Sequence, residues 1–149
     1  MKKISLENYK TDKYYSRIVK AVGAELAGQN FVTPIGVLIS LGLLEKEDID
    51  SWRKGRIPYL EQVVKCNLAK ASRMLRILRF HAHDLNLKPS VTVYLRKTAG
   101  GKIPRRFSKT GERHIEEAYS RHYVRLGKYT VRDVIGAENK VDAGAQIEL

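Results

Sequence analysis

Between Pro58 and Leu87, apolar and cationic residues separate onto opposite sides of a helix, and no other stretch limits the fold so tightly. Pro58 suits a first helical turn, and a helix from there to Leu87 would be about 45 Å long at roughly 1.5 Å rise per residue. Leu60 is placed at 0° and each residue advances about 100°. Val63, Val64, Leu68, Ala71, Leu75, Leu78, Ala82 and Leu85 then fall between about 300° and 80°. Lys65, Arg73, Arg76, Arg79 and His83 fall between about 100° and 220°. The apolar stripe needs a body to pack on, and the cationic stripe faces out. Phe80, near 200° by the same rule, is the exception. Either the C-terminal helix or tail covers it, or its ring is free to stack on a base.

The positive charge is confined to the middle of the chain. The 149 residues carry a formal net charge of +12, and residues 51–109 hold fifteen Lys/Arg against two acids, Glu61 and Asp84. Residues 1–50 hold seven of each sign, and residues 110–149 hold six Lys/Arg against seven Asp/Glu. An excess segregated onto one foldable segment marks a face for a polyanion rather than a general aid to solubility. Hydrophobic residues make up 43% of the chain, enough for a packed domain. One domain is expected over residues 1–127, with 128–149 a short, partly flexible C-terminal extension.

Cys66 is the only cysteine, so no internal disulfide forms, and a reducing compartment fits. Lys2 and Lys3 are not followed by an apolar segment of signal-peptide type. The apolar run from Phe31 to Leu44 is interrupted by Thr33, Pro34, Gly36, Ser40 and Gly42 and is too short to span a bilayer. The expectation is a cytoplasmic protein of bacterial type with no membrane insertion.

Other elements follow from spacing and punctuation. Tyr14 to Leu26 places Ile18, Val19, Val22 and Leu26 at helical intervals before Gly28. Thr33-Pro34 opens a short apolar helix that ends at Gly42. Glu45 to Lys54 begins with acids, ends with bases and is followed by Gly55, as a helix dipole favours. Val91, Val93 and Leu95 alternate with polar residues and predict a strand. Ala99-Gly100-Gly101 predicts a turn, and Ile103 to Phe107 a returning edge strand containing Pro104. A further helix, capped by Ser108 or Thr110, is expected from Gly111 to Leu126, with Ile115, Ala118, Tyr119, His122 and Leu126 facing in. Tyr129 to Ile135 reads as a short strand. The fold class is α+β and mostly helical, with about five helices and one basic β-hairpin, an order that loosely matches a winged helix.

The candidate nucleic-acid-binding residues are the helix cations Lys65, Arg73, Arg76 and Arg79 with Phe80, the hairpin cations Arg96, Lys97, Lys102, Arg105 and Arg106, and Lys109. Arg53, Lys54 and Arg56 are expected near the start of the basic helix, with Trp52, Pro58, Tyr59 and Leu60 pinning the joint. Rows of cations facing phosphates gain affinity from counterion release. In "PRRFSKTGE" (Pro104 to Glu112), Ser108 and Thr110 beside Arg105, Arg106 and Lys109 form a candidate phosphate site at a helix start. An ordinary helix cap explains the same residues. His81 and His83 point about 200° apart on a helix and cannot share a metal there. His114 or His122 could serve as a general base in a nuclease, but no paired carboxylates or nucleophile–base spacing accompany them. No metal site or cofactor is read.

The runs "FVTPIGVLISLGLL", "WRKGRIPYLE", "LKPSVTVYLR", "RFSKTG" and "EEAYSRHYV" resemble a set of small basic bacterial proteins of unassigned function, over about Phe31 to Val124. The resemblance implies one domain and assigns no site. The function expected from the residues is nucleic-acid binding without catalysis, the basic helix face and hairpin contacting phosphates. A protein–protein adaptor for an acidic partner and a phosphate-processing enzyme are the alternatives. DNA versus RNA and the oligomeric state stay open.

Overall fold

The computed structural model of the protein describes residues 3–126. The expected strand at Tyr129 to Ile135 and the extension 128–149 lie outside the described residues. The chain runs α1 (Tyr15–Gly28), β1 (Phe31–Val32), α2 (Pro34–Ser40), α3 (Lys46–Arg53), α4 (Leu68–Asp84), β2 (Lys88–Val91), β3 (Leu95–Thr98), β4 (Gly101–Pro104), α5 (Arg113–Ser120) and β5 (Arg121–Val124). This is the expected α+β class: among the described residues, five helices, a three-stranded antiparallel sheet in the order β1-β5-β2, and a separate β3-β4 hairpin. No helix among the described residues is long and apolar enough to cross a membrane.

The long helix expected from Pro58 is corrected. Leu60–Val63 forms only a 3-10 turn, and α4 starts at Leu68, where the Asn67 side chain caps it by accepting from Lys70 N–H. The lost turns have their backbone donors taken elsewhere. Leu60 and Glu61 N–H donate to the carbonyls of Arg106 and Phe107, and Lys65 N–H donates to Leu43. A helix there would forfeit three long-range bonds.

The buried stripe of α4 is also turned from its expected position. Met74, Ile77 and His81 are buried beside Ala71, Leu75, Leu78 and Ala82, whereas Leu68 and Leu85 are exposed. On the same wheel the stripe now reaches about 260°, which brings Arg73 and Phe80 to its margin. The N-terminal segment covers that margin. Tyr9 is fully buried, donates its hydroxyl to the Asp84 carboxylate, and sets its ring 6.0 Å from Phe80. Phe80 is therefore half-buried beside Tyr9 near the N-terminus, a cover the sequence does not suggest, and the tail lies outside the described residues.

The predicted fifth helix ends early for a related reason. Ser120 turns its hydroxyl back to the Glu116 carbonyl, and the β-favouring run Arg121-His122-Tyr123-Val124 becomes the middle strand. Phe31 pairs with Val124 on one side, and Lys88 pairs with Val124 on the other. Val91 closes this sheet at β2 rather than opening the hairpin, whose strands begin later than expected at Leu95 and earlier at Gly101. Gly101 has φ +124°, a conformation that side-chain-bearing residues rarely adopt.

α1 and α2 are clasped by Glu25. Its Oε2 accepts from Thr33 N–H at 3.0 Å and from Gln29 Nε2 at 3.1 Å, while Oε1 is buried without a hydrogen-bond partner among the described residues. A Cβ at position 36 would fall on this carboxyl, so Gly36 lets Glu25 take this place. Burial pushes the Glu25 pKa up from 4.5 to about 7. The folded state therefore holds this proton where the unfolded chain has released it, and stability falls as pH rises from 4.5 through 7. Glu25→Gln removes this dependence. Its stability relative to the wild type should rise with pH across that window and then level off, as read from urea midpoints. A difference that ignores pH would show the carboxyl to be ionised throughout.

Candidate nucleic-acid interface

Trp52, fully buried near the end of α3, anchors the site. Its indole N–H donates to the Arg106 carbonyl at 2.7 Å, and its ring packs on Tyr94 and Phe107. The α3 terminus is thereby fastened to the end of the hairpin. Arg105 closes the joint: its Nε donates to the Trp52 carbonyl at 2.9 Å, and its Nη2 to the Ile57 carbonyl at 2.7 Å and the Pro58 carbonyl at 3.4 Å. These bonds fix two segments that are far apart in sequence.

Three cations from each segment meet at this joint. After α3 the chain reverses at Gly55, φ +84°, with Arg56 N–H bonded to the Ser51 carbonyl. A Cβ at position 55 would strike the Arg96 guanidinium, so glycine lets Arg96 lie against the turn. Arg106 sits over the Tyr59 ring, 5.6 Å from its centroid. Burial first, and then the charges of Arg96 and Arg106, push the Arg105 pKa below the usual guanidinium range. The cluster is Arg53, Lys54, Arg56, Arg96, Arg105 and Arg106. Asp50 faces it, pairing with Lys54 at 2.9 Å; that bond first, helped by the charges of Lys54, Arg53 and Arg56, holds its carboxyl below the usual range. Arg56, Arg96 and Arg106 make no ion pair among the described residues.

Beyond the joint, Lys97 and Lys102 stand directly opposite each other across the hairpin. Like charges at paired positions destabilise a ladder, by an amount of order 0.2–1 kcal/mol. An anion seated between them would reverse the sign of that term.

The structure divides the other expected residues. Arg76 and Arg79 are exposed on α4. Arg73 instead donates through Nε to Asp12 Oδ2 at 2.6 Å, and Asp12 is almost completely buried. Lys65 precedes α4 and pairs with Glu45, which holds its pKa up. Arg53, Lys54 and Arg56 meet the hairpin, not the start of the basic helix. Lys109 is exposed, with its backbone N–H bonded to Glu61.

The candidate phosphate site is already filled by the chain. Glu116 accepts from Phe107 N–H at 2.9 Å, from Ser108 N–H at 2.7 Å and from the Ser108 hydroxyl at 2.6 Å. Ser108 Oγ also accepts from Gly111 N–H, and Thr110 Oγ1 from Glu112 N–H. Neither side chain caps α5 directly, since the N-cap residue is Glu112. Glu116 escaped the sequence reading because its distance from Ser108 along the chain matches no local capping pattern.

The histidines do not assemble. His122 is buried in β5, with Nε2 3.1 Å from the Tyr94 hydroxyl, and burial lowers its pKa to about 4. His114 is exposed on α5 beside Glu112. Among the described residues no group of three or more His, Cys, Asp or Glu is placed to hold a metal. Compared with known proteins, the chain matches no family model, no curated protein and no solved structure.

Proposed function

We propose that the protein binds nucleic acid through the joint between α3 and the hairpin. The observation that carries this reading is the meeting of six cations from two segments whose positions are fixed by Trp52 and Arg105, with Arg56, Arg96 and Arg106 in no ion pair among the described residues. A rigid cluster gains counterion entropy at each phosphate without first ordering long side chains on a mobile scaffold. Arg56, Arg96 and Arg106 contact phosphates. Lys97 and Lys102 extend the track along the hairpin, and a reducing cytoplasm suits a chain with one thiol.

Arg76 and Arg79 favour a second mode. In it α4 enters a groove beside the hairpin in a winged-helix-like arrangement. Fluorescence anisotropy with duplex and single-stranded oligonucleotides, between about 50 and 200 mM salt, tests both. Affinity is expected to fall linearly on logarithmic axes, and Arg56→Glu with Arg106→Glu should weaken binding and flatten that slope by about one for each phosphate no longer neutralised. If Arg76→Glu with Arg79→Glu has the larger effect, the α4 mode holds. Absence of binding to every oligonucleotide, with retained binding to an acidic peptide, would replace both by the adaptor reading.

A further inference from the structure

We infer that the cavity between α2, α3 and Tyr94 receives one unpaired nucleobase from the strand held at the cation cluster, so that the preferred ligand is single-stranded. This inference rests on the nucleic-acid reading above. The cavity has a volume of about 400 Å³, with Ile35, Ile39, Ile49 and Tyr94 forming its apolar walls. That is near the lower end of small-ligand sites, about 300–1,000 Å³, and suits a flat heterocycle rather than a folded partner.

Its polar lining is mixed. Lys46 and Arg53 supply donors, while Asp50 and Thr33 supply acceptor oxygens. Thr33 Oγ1 already accepts from Gly36 N–H and Asp50 already holds Lys54, so this lining stays polar, and the edge of a base, which presents both donors and acceptors, suits it better than an acyl chain. The cavity also adjoins the cation cluster through covalent neighbours. Arg53 lines the cavity and is followed by Lys54, whose ammonium holds Asp50 of the same lining at 2.9 Å. A backbone held at Lys54 therefore lies beside Arg53 and Asp50 of the cavity lining. A paired base in a stacked duplex cannot turn into it without unstacking and losing its partner, whereas an unpaired base enters at little cost. Apolar walls with a guanidinium at the margin accept any base by its flat face, so sequence preference should be modest.

The test compares three fluorescent probes of equal length on the full chain: oligothymidylate, the same phosphodiester built entirely of abasic tetrahydrofuran units, and a duplex. Oligothymidylate is expected to bind about tenfold more tightly than the abasic chain and more tightly than the duplex. Ile39→Trp, which fills the cavity from a half-buried position, should bring the oligothymidylate down to the abasic affinity and leave abasic binding unchanged. If circular dichroism shows that this variant does not fold, Ile39→Phe takes its place, and the wild-type comparison stands without either. Equal binding of the oligothymidylate and the abasic chain overturns the base cavity and leaves the phosphate reading intact. Failure of all three probes to bind overturns the phosphate reading itself.

Discussion

Arg73→Ala is expected to lower stability by roughly 3–5 kcal/mol, the range found when one partner of a buried ion pair is removed. Arg76→Ala and Arg79→Ala on the same helix should stay within about 0.5 kcal/mol of the wild type. The difference lies in what each guanidinium faces. The Asp12 side chain is only 2% exposed, and its carboxylate is bound by the Arg73 guanidinium and the Tyr14 N–H, so the alanine variant leaves a charge away from water with one backbone donor. Arg76 and Arg79 face solvent. Equilibrium urea unfolding of the three variants checks this, and three equal effects would mean that Asp12 finds water when Arg73 is gone. Charge reversal at Arg73 is accordingly a poor probe of binding, because unfolding would mimic loss of affinity.

Glu116→Ala should be comparably severe. It leaves two backbone N–H groups and the Ser108 hydroxyl facing a void, at about 1–3 kcal/mol for each donor left unsatisfied, with partial relief wherever water enters. The vacated space is a cradle of convergent donors, the geometry that binds oxyanions. Sulfate or phosphate should therefore raise the melting temperature of Glu116→Ala more than that of the wild type, measured against chloride at matched ionic strength. Equal shifts in both proteins would show that the cradle collapses when its carboxylate is removed.

Local chemistry made much of the fold legible. Thr33-Pro34 starts α2 as its capping pattern demands, the acid-to-base gradient of Glu45 to Lys54 encloses α3, and the Gly-rich turn falls between Thr98 and the extended Gly101 strand. Failures arose where a distant segment claimed the backbone. Leu60 and Glu61 bond to residues 106 and 107, and β5 takes a place between strands from residues 31 and 88 that no local preference of Arg121 to Val124 specifies. The candidate site divides along the same line. Charge segregation marks the basic segment, and the hairpin arginines follow from it directly. Which cations face solvent was not legible, because Asp12 and Glu45 lie in the charge-balanced first third of the chain and reach Arg73 and Lys65 only through the tertiary fold.

The position of β5 bears on how the chain is made. During synthesis from the N-terminus, α1 through α4 and both outer strands leave the ribosome before the strand that joins them. Until residues 121–124 emerge, β1 and β2 have no common neighbour, and their unpaired edges are open to other chains. Pairing Phe31 with Val124 also encloses every residue between them in one loop, the kind of long-range closure that slows folding. A ribosome stalled shortly before Arg121 would thus display a helical body with its sheet unfinished, whereas one stalled beyond Val124, with the exit tunnel cleared, would display a closed one. The step that completes the sheet waits for four residues that follow every other element of the described fold.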